Sequence, residues 1–161
     1  MSLKVGDAIT DMVLLDQDGH SVALSSLPGS NGAVIYFYPK DNTPGCIQEA
    51  RDFQGMASEF AGMGVNIVGV SRDNAASHVK FRANQGLKFT LLSDVGGAMC
   101  EQFGVWREKK NFGKTVMGLV RSTFVVDSGG VVRKIYDNVR VKGHVEAVLA
   151  DCQVLFGEHD R

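Results

Sequence analysis

The sequence has few of the residues that build metal sites and disulfide frameworks. Its 161 residues include only three cysteines, Cys46, Cys100 and Cys152, which lie far apart in the chain. An odd number of distant cysteines does not suit the disulfide framework of a small secreted protein. There is no Cys-X-X-Cys pair and the four histidines are scattered, so the ligand spacing of a zinc site is absent. We therefore expect no metal and no cofactor.

Long apolar segments and a strong net charge are also missing. No run approaches the roughly 18 apolar residues of a membrane span, and the first seven residues lack the apolar core of a signal peptide. The net charge is −1 and the isoelectric point is about 6.4, so no overall positive field exists to attract nucleic acid or an anionic membrane. We expect a cytoplasmic protein that binds neither nucleic acid nor membranes.

The composition is that of one globular domain. With 44% hydrophobic and 22% charged residues, a chain of this length can bury one good core. No internal repeat, low-complexity tract or linker divides it, so residues 1–161 are expected to form a single domain.

The most informative stretch is a predicted strand followed by a helix. Residues 33–38 are an unbroken apolar run, which is typical of a strand covered on both faces. Thr43 and Pro44 then predict a helix start, with the threonine hydroxyl as N-cap and the proline at the first helical position. Cys46 falls in the first turn, where unpaired N–H groups and the helix dipole favour a thiolate, the nucleophilic form of cysteine. The apolar stripe of the helix places Cys46 on its rim, so a partly exposed sulfur is expected.

The elements around this stretch predict a mixed sheet. Asp16-Gln-Asp-Gly19 suggests a hairpin turn near the N-terminus. Residues 65–70 form the next apolar strand, and two buried strands joined by a helix that ends near Gly64 make a right-handed βαβ unit. A second helix is expected to run from its cap, Asn74, to a left-handed stop at Gly86.

The C-terminal half completes the predicted fold. Ser93 or Asp94 is expected to cap a short helix, and the charged residues 106–115 are interpreted as a surface loop or arm. Residues 120–136 predict an antiparallel hairpin, and a last helix starts near Gly143. This order predicts a thioredoxin-like α/β fold, with a mixed central sheet flanked by helices and an N-terminal β-hairpin extension.

The residues around Cys46 resemble a known active-site signature. Pro39, Thr43 and Cys46 follow the pattern proline, three residues, threonine, two residues, cysteine, and Glu49-Ala50 come one turn later. This segment resembles the signature of the peroxiredoxins, and within them the bacterioferritin comigratory protein or peroxiredoxin Q branch. Arg121-Ser-Thr-Phe124 also resembles that branch, and the likeness covers nearly the whole chain.

The resemblance implies a thiol peroxidase that reduces hydrogen peroxide and organic hydroperoxides. On this resemblance, Cys46 is the peroxidatic cysteine and becomes a sulfenic acid. Thr43 is a hydroxyl hydrogen-bonded near the thiolate and the peroxide, Arg121 stabilises both, and Pro39 shields the pocket. Glu49 is expected to orient a nearby arginine. The residues alone leave plainer roles open, in which the threonine only caps a helix, the proline ends a strand and the arginine is a surface charge.

Peroxide chemistry agrees with these roles. A thiolate attacks one oxygen while the other leaves, so negative charge moves along a nearly straight S···O···O line. The N–H groups of Gly45 and Cys46, the guanidinium of Arg121 and the hydroxyl of Thr43 are suited to stabilise that charge. An arginine suits this better than a lysine because its planar fork can reach sulfur and oxygen together.

The chain departs from the branch where a second cysteine is usual. Many members resolve the oxidised cysteine with one five residues later or in the next helix, and here these positions are Arg51 and Arg82. Cys100 and Cys152 fall on apolar helix faces, which favours buried cysteines that act as small hydrophobic residues. We therefore expect a one-cysteine cycle in which an external thiol, such as thioredoxin, glutaredoxin or a small thiol, reduces the sulfenic acid. Members of this branch are usually monomers, and a monomer is expected.

Two other functions fit the predicted fold. A thioredoxin-like disulfide reductase normally needs a Cys-X-X-Cys pair, and Thr43-Pro-Gly-Cys46 supplies only the second cysteine. A redox sensor or partner-binding domain would use the oxidation of Cys46 as a signal. The preferred peroxide and the physiological reductant stay open at this point.

Overall fold

The computed structural model of the protein describes residues 2–157. The strands are β1 Val13–Asp16, β2 Ser21–Ala23, β3 Gly32–Phe37, β4 Val65–Ser71, β5 Thr90–Ser93, β6 Trp106–Asn111, β7 Lys114–Leu119, β8 Ser122–Asp127 and β9 Val132–Tyr136. The helices are α1 Pro44–Gly55, α2 Ala57–Gly62, α3 Ala75–Gln85, α4 Ala98–Phe103 and α5 His144–Phe156. In this part of the chain no helix is both long and apolar enough to cross a membrane.

A seven-stranded mixed sheet forms the centre of the described chain. Its strand order is β2-β1-β5-β4-β3-β8-β9. The strands β3, β4 and β5 are parallel, whereas β8, β9, β1 and β2 each join an antiparallel neighbour. The predicted βαβ unit, C-terminal hairpin and N-terminal hairpin are therefore confirmed, and the N-terminal hairpin extends the sheet through β5.

Strand β3 is central and buried on both faces, as its apolar run predicted. Its residues alternate between two apolar clusters, with Ala33, Ile35 and Phe37 in one and Val34 and Tyr36 in the other. Successive side chains of a strand point to opposite faces, so one cluster lies on each side of the sheet. Neither face of β3 meets water, which explains why this strand lacks polar residues.

The register between β3 and β8 fixes where the site forms. Phe37, the last residue of β3, pairs with Ser122, the first residue of β8. Because the two strands are antiparallel, Arg121 comes just before β8 at the edge of the sheet where the chain leaves β3 for α1. Cys46 and Arg121, which are 75 positions apart in sequence, are thus brought to the same end of the central strand.

Two predicted elements are wrong in their details. Residues 106–115 form an arm and not a loop, since β6 and β7 pair in a separate two-stranded sheet from Trp106 opposite Leu119 to Asn111 opposite Lys114. Their turn is a tight one in which Phe112 and Gly113 both have positive φ, of 52° and 78°. The charged composition concealed the strand pairing.

The helix that carries Cys46 also ends earlier than predicted. It breaks at Met56, whose backbone angles of −111° and 13° leave the helical region. A second, shorter helix then continues towards Gly64, which has a φ of +73°. The expected single helix is therefore two, α1 and α2.

Of the predicted caps, those of α3 are confirmed. The side chain of Asn74 accepts the N–H of Ser77, and Gly86 ends the helix with a φ of +65°. In α4 the N-cap position is occupied by Gly97 rather than by Ser93 or Asp94. The carboxylate of Asp94 nevertheless accepts the N–H groups of Met99 and Cys100, at 3.0 and 2.7 Å, so it supplies the acceptors that a capping side chain supplies.

Candidate active site

Cys46 lies in the first turn of α1, at the end of β3. Only 1% of the residue is exposed, so the expectation of a partly exposed sulfur is wrong. The physical reason is that Cys46 packs within one of the two apolar clusters of the sheet and that a guanidinium group lies against its sulfur. The first turn has unpaired backbone N–H groups and the positive end of the helix dipole, both of which favour a negative charge.

Arg121 is the residue that shields Cys46. Its Nη2 lies 3.4 Å from the Cys46 Sγ, and its Nη1 donates to Glu49 Oε1 at 2.6 Å. The planar guanidinium therefore contacts the sulfur and the carboxylate at the same time. Burial lowers the pKa of Arg121, but Glu49 and Cys46 outweigh it and hold the pKa above its ordinary value. Arg121 thus keeps its positive charge beside the sulfur.

Glu49 is fully buried beneath this arginine, one turn after Cys46. Its Oε1 accepts from Arg121, whereas no hydrogen-bond partner for its Oε2 is found among the described residues. Burial raises the pKa of Glu49 to about 7, although the charge and the hydrogen bond of Arg121 act in the opposite direction. A buried carboxyl with one unpartnered oxygen favours its neutral form. The net charge of the Glu49–Arg121 pair therefore changes close to neutral pH, as Glu49 gains or loses its proton.

Gly45 allows the arginine to approach the helix start. A Cβ atom at this position would lie 3.1 Å from Arg121 Nη2. Both Nη atoms of the guanidinium already have partners, so it cannot withdraw without losing a contact. The sequence indicated Gly45 only as a source of a backbone N–H, and this steric requirement was missed because it depends on a residue far away in the chain.

Thr43 occupies the N-cap position of α1 but does not cap the helix with its side chain. Its hydroxyl instead donates to the carbonyl of Lys40 at 2.8 Å. The predicted hydroxyl cap is therefore wrong, because the hydrogen bond to Lys40 turns the hydroxyl towards the loop before the helix and not towards the first N–H groups of α1. The oxygen of Thr43 keeps its lone pairs to accept a hydrogen bond.

Pro39 is exposed on the loop between β3 and α1. It lines a surface groove of about 490 Å³ that is also lined by Trp106 and Leu119. The structure thus brings Arg121 into direct contact with both Cys46 and Glu49 and places Thr43 and Pro39 on the loop that leads to α1.

Comparison with known proteins decides the family. Residues 5–135 match the model of the AhpC/TSA family. The chain belongs to the AhpC/TSA family. Peroxiredoxin Bcp of Bacillus subtilis is 43% identical to this peroxiredoxin over 149 residues, which cover 92% of this chain and 94% of the relative.

Solved peroxiredoxin structures share the fold. The PrxQ of Xylella fastidiosa superposes with a TM-score of 0.89 at 33% identity, over 96% of this chain and 98% of that one. The bacterioferritin comigratory protein of Xanthomonas campestris superposes with a TM-score of 0.84 at 40% identity, over 92% and 98% of the two chains, and its structures concern its alkyl peroxide reduction activity. The resemblance to the bacterioferritin comigratory protein and peroxiredoxin Q branch is confirmed, as is the thioredoxin-like fold.

The other two cysteines of this peroxiredoxin are fully buried and free. Cys100 lies in α4, where burial and then the nearby Asp94 carboxylate raise the pKa of its thiol. Cys152 lies in α5, where burial and then Asp151 raise the pKa of its thiol to about 12. A thiol needs its thiolate form to act as a nucleophile, so neither cysteine is reactive in this conformation.

Within residues 2–157, one group of potential metal ligands is present, at the turn between β1 and β2. Ligand atoms of Asp16, Asp18 and His20 lie within 4.8 Å of one another. One carboxylate oxygen of Asp16 already accepts the backbone N–H groups of Asp18 and His20, at 2.9 and 3.0 Å. The proximity of these three side chains is thus explained by the hydrogen bonds that close the turn.

Proposed function

We propose that Cys46 is the cysteine through which this thiol-dependent peroxidase reduces peroxides. The observation that carries the proposal is the contact of Arg121 with the Cys46 sulfur at 3.4 Å, while the same guanidinium is held by Glu49 at 2.6 Å. A positive group fixed at this distance favours the thiolate and remains in place for the charge that develops on the peroxide. The start of α1, where Cys46 lies, adds unpaired backbone N–H groups and the positive end of the helix dipole.

The reaction at Cys46 proceeds by displacement at oxygen. The sulfur lone pair forms an S–O bond with the terminal oxygen of the hydroperoxide, and the O–O bond breaks. The sulfur is oxidised by two electrons to a sulfenic acid, and the other oxygen leaves as hydroxide or alkoxide and then takes a proton. The guanidinium of Arg121 and the backbone N–H groups of Gly45 and Cys46 stabilise the moving negative charge.

Thr43 and Pro39 complete the proposed pocket. The Thr43 hydroxyl gives its hydrogen to Lys40, so its oxygen is suited to accept the O–H of the incoming hydroperoxide and to orient it. Pro39, on the same loop, is proposed to shield the pocket. Organic hydroperoxides are proposed as substrates beside hydrogen peroxide, in keeping with the alkyl peroxide activity of the related Xanthomonas campestris protein.

We propose that an external thiol completes the cycle. Arg51 and Arg82 stand where a resolving cysteine would be expected, and Cys100 and Cys152 are buried. The external thiolate attacks the sulfenic sulfur and releases water, and a second thiol reduces the mixed disulfide to regenerate Cys46. Thioredoxin, glutaredoxin or a small thiol would serve as the external thiol.

Three free cysteines favour a reducing, cytoplasmic location, and a monomeric single domain is proposed.

Three single variants test this cycle. We expect Cys46→Ser to abolish peroxide turnover, whereas Cys100→Ser and Cys152→Ser should retain it. Mass analysis of the peroxide-treated wild-type protein without reductant should find one added oxygen on Cys46. Stoichiometric Cys46–Cys100 or Cys46–Cys152 disulfide would contradict the external-thiol step, and turnover in Cys46→Ser would contradict the assignment of Cys46.

A further inference from the structure

A second polar network lies beside the site and contains a fully buried histidine. His78 of α3 places its Nε2 2.9 Å from the carbonyl oxygen of Leu92 and its Nδ1 2.7 Å from Asp41 Oδ2. The same Asp41 carboxylate accepts the hydroxyl of Ser77 at 2.8 Å and that of Tyr38 at 2.6 Å. Three side chains, one from the residue after β3 and two from α3, therefore converge on one carboxylate.

The hydrogen-bond inventory fixes a proton in this network. A backbone carbonyl only accepts, so the His78 Nε2 must carry a hydrogen towards Leu92. The Nδ1 atom then faces a carboxylate oxygen, and two acceptors cannot lie 2.7 Å apart without a proton between them. One proton must therefore lie between His78 and Asp41, and it makes this contact a strong one.

Asp41 occupies the loop that forms the peroxide pocket. It stands between Pro39 and Thr43, and its own N–H donates to Asp73 Oδ2 at 2.8 Å. The next residue, Asn42, has a φ of +62°, a left-handed conformation that asparagine adopts more readily than most residues other than glycine. The loop therefore turns sharply before α1, and the Asp41 contacts tie it to α3 and to Asp73.

We propose that His78 is a positioning residue for peroxide reduction, acting through Asp41 on the loop that carries Pro39 and Thr43. Its ring joins this loop to α3 and, through Leu92, to strand β5. Fixing Asp41 fixes the shape of the loop and the N-terminal end of α1, and with them the groups that hold the hydroperoxide on the line of attack. The inference rests on the function proposed for Cys46, although His78 itself contacts neither the sulfur nor Arg121 in the described contacts.

The two nitrogens of His78 can be tested separately with amide side chains. Asparagine has its amide nitrogen in the place of Nδ1 and keeps the donor to Asp41, whereas glutamine reaches the place of Nε2 and keeps the donor to Leu92. Each variant loses one hydrogen bond of the ring. His78→Asn and His78→Gln are therefore a matched pair that differ in which end of the link is broken.

The measurement is the second-order rate constant for oxidation of Cys46 by hydrogen peroxide, followed by stopped-flow. We expect His78→Asn to stay within about threefold of wild type and His78→Gln to lose about 10- to 100-fold, because a displacement near 1 Å costs up to about 100-fold. Thermal melts must show both variants folded at the assay temperature. A purely structural histidine predicts wild-type rates in both, and equal losses in both would also overturn the proposal.

Ser77 provides a second test if the histidine variants do not fold. Its hydroxyl donates to the same Asp41 oxygen. Ser77→Ala is expected to slow Cys46 oxidation several-fold, and Ser77→Thr, which keeps the hydroxyl, is expected to restore it. A wild-type rate in Ser77→Ala, or no rescue in Ser77→Thr, would contradict the role of Asp41. A slow wild-type protein would instead count against the function proposed for Cys46, so the two failures are distinguishable.

Discussion

Among the individual residues of the site, Arg121 is distinguished by its two simultaneous contacts. Its fork spans Cys46 Sγ and Glu49 Oε1, a geometry that a single ammonium group cannot reproduce. The Glu49 carboxylate holds the guanidinium, and the guanidinium in turn lies against the sulfur. The direction of the arginine side chain is therefore set before any peroxide arrives.

Replacing Arg121 tests this geometry. Arg121→Ala should raise the barrier to Cys46 oxidation by about 2.7–4 kcal/mol, the cost of one oxyanion-hole donor, which is about 10²- to 10³-fold in rate. Arg121→Lys keeps a positive charge but loses the fork, so its rate should fall between the alanine variant and wild type. The second-order rate constants for oxidation of Cys46 by hydrogen peroxide, measured for wild type and both variants, check the two predictions. A lysine variant equal to wild type would show that charge alone suffices.

Glu49 gives a pH dependence that can be measured as stability. Its pKa is raised from 4.5 to about 7 in the folded protein, so the folded state binds the proton more tightly than the unfolded chain. This stabilisation is complete below pH 4.5 and is lost as the pH rises through 7. Urea unfolding should show the stability of wild type, relative to Glu49→Gln, falling by up to about 3 kcal/mol over this range. Parallel curves for the two proteins would contradict the shifted pKa.

The residues of the site were predictable to different degrees. Cys46 was indicated by its place at a predicted helix start, whereas the roles of Thr43 and Arg121 came from the resemblance to the peroxiredoxin signature. The buried sulfur, the use of the Thr43 hydroxyl on Lys40 and the steric need for Gly45 were not predictable. Each of these depends on atoms that only the tertiary fold brings within contact distance.

At the scale of elements, the predictions failed where composition concealed pairing. Strand β6 is rich in charge and β7 is mostly exposed, so they lack the apolar alternation that marks a half-buried strand. The break between α1 and α2 at Met56 follows Gly55, and a single glycine inside a helical pattern is tolerated too often to predict a break. By contrast, β3 and α3 were predicted because burial and a side-chain cap leave local sequence signals.

The start of α5 contributes a pH dependence of the opposite sign. His144 is buried there, and its Nε2 lies 2.8 Å from the Thr123 hydroxyl of β8. Burial, and then the charge of Arg121, lower the pKa of His144 from 6.5 to about 4. Because the pKa of His144 is lower in the folded than in the unfolded protein, its neutral form contributes stability that is complete above pH 6.5. This contribution to the free energy of unfolding is lost as the pH falls through 4.

His144→Gln should remove that dependence. Gln can keep a hydrogen bond to Thr123 but does not titrate, so the stability of wild type relative to the variant should fall between pH 6.5 and pH 4, by up to about 3 kcal/mol. Urea unfolding at a series of pH values measures the difference. A constant difference over this range would show that His144 does not titrate differently in the folded and unfolded states.

At the scale of the whole molecule, the strand order creates the site. Because β3 lies between parallel β4 and antiparallel β8, the helix that follows β3 and the residue that precedes β8 meet at one edge of the sheet. The fold class and the two hairpins could be predicted from the order of elements. The register that places Arg121 beside Cys46 could not, since it depends on pairing between strands about 90 residues apart.

The rate at which peroxide oxidises Cys46 tests the central claim most directly. The experiment uses a protein with Cys100→Ser and Cys152→Ser, so that only Cys46 can react, and compares its second-order rate constant with that of free cysteine at the same pH. The arginine, the helix start and the preformed loop predict a rate at least about 10³-fold above free cysteine. A Cys46 that reacts no faster than free cysteine would contradict the account.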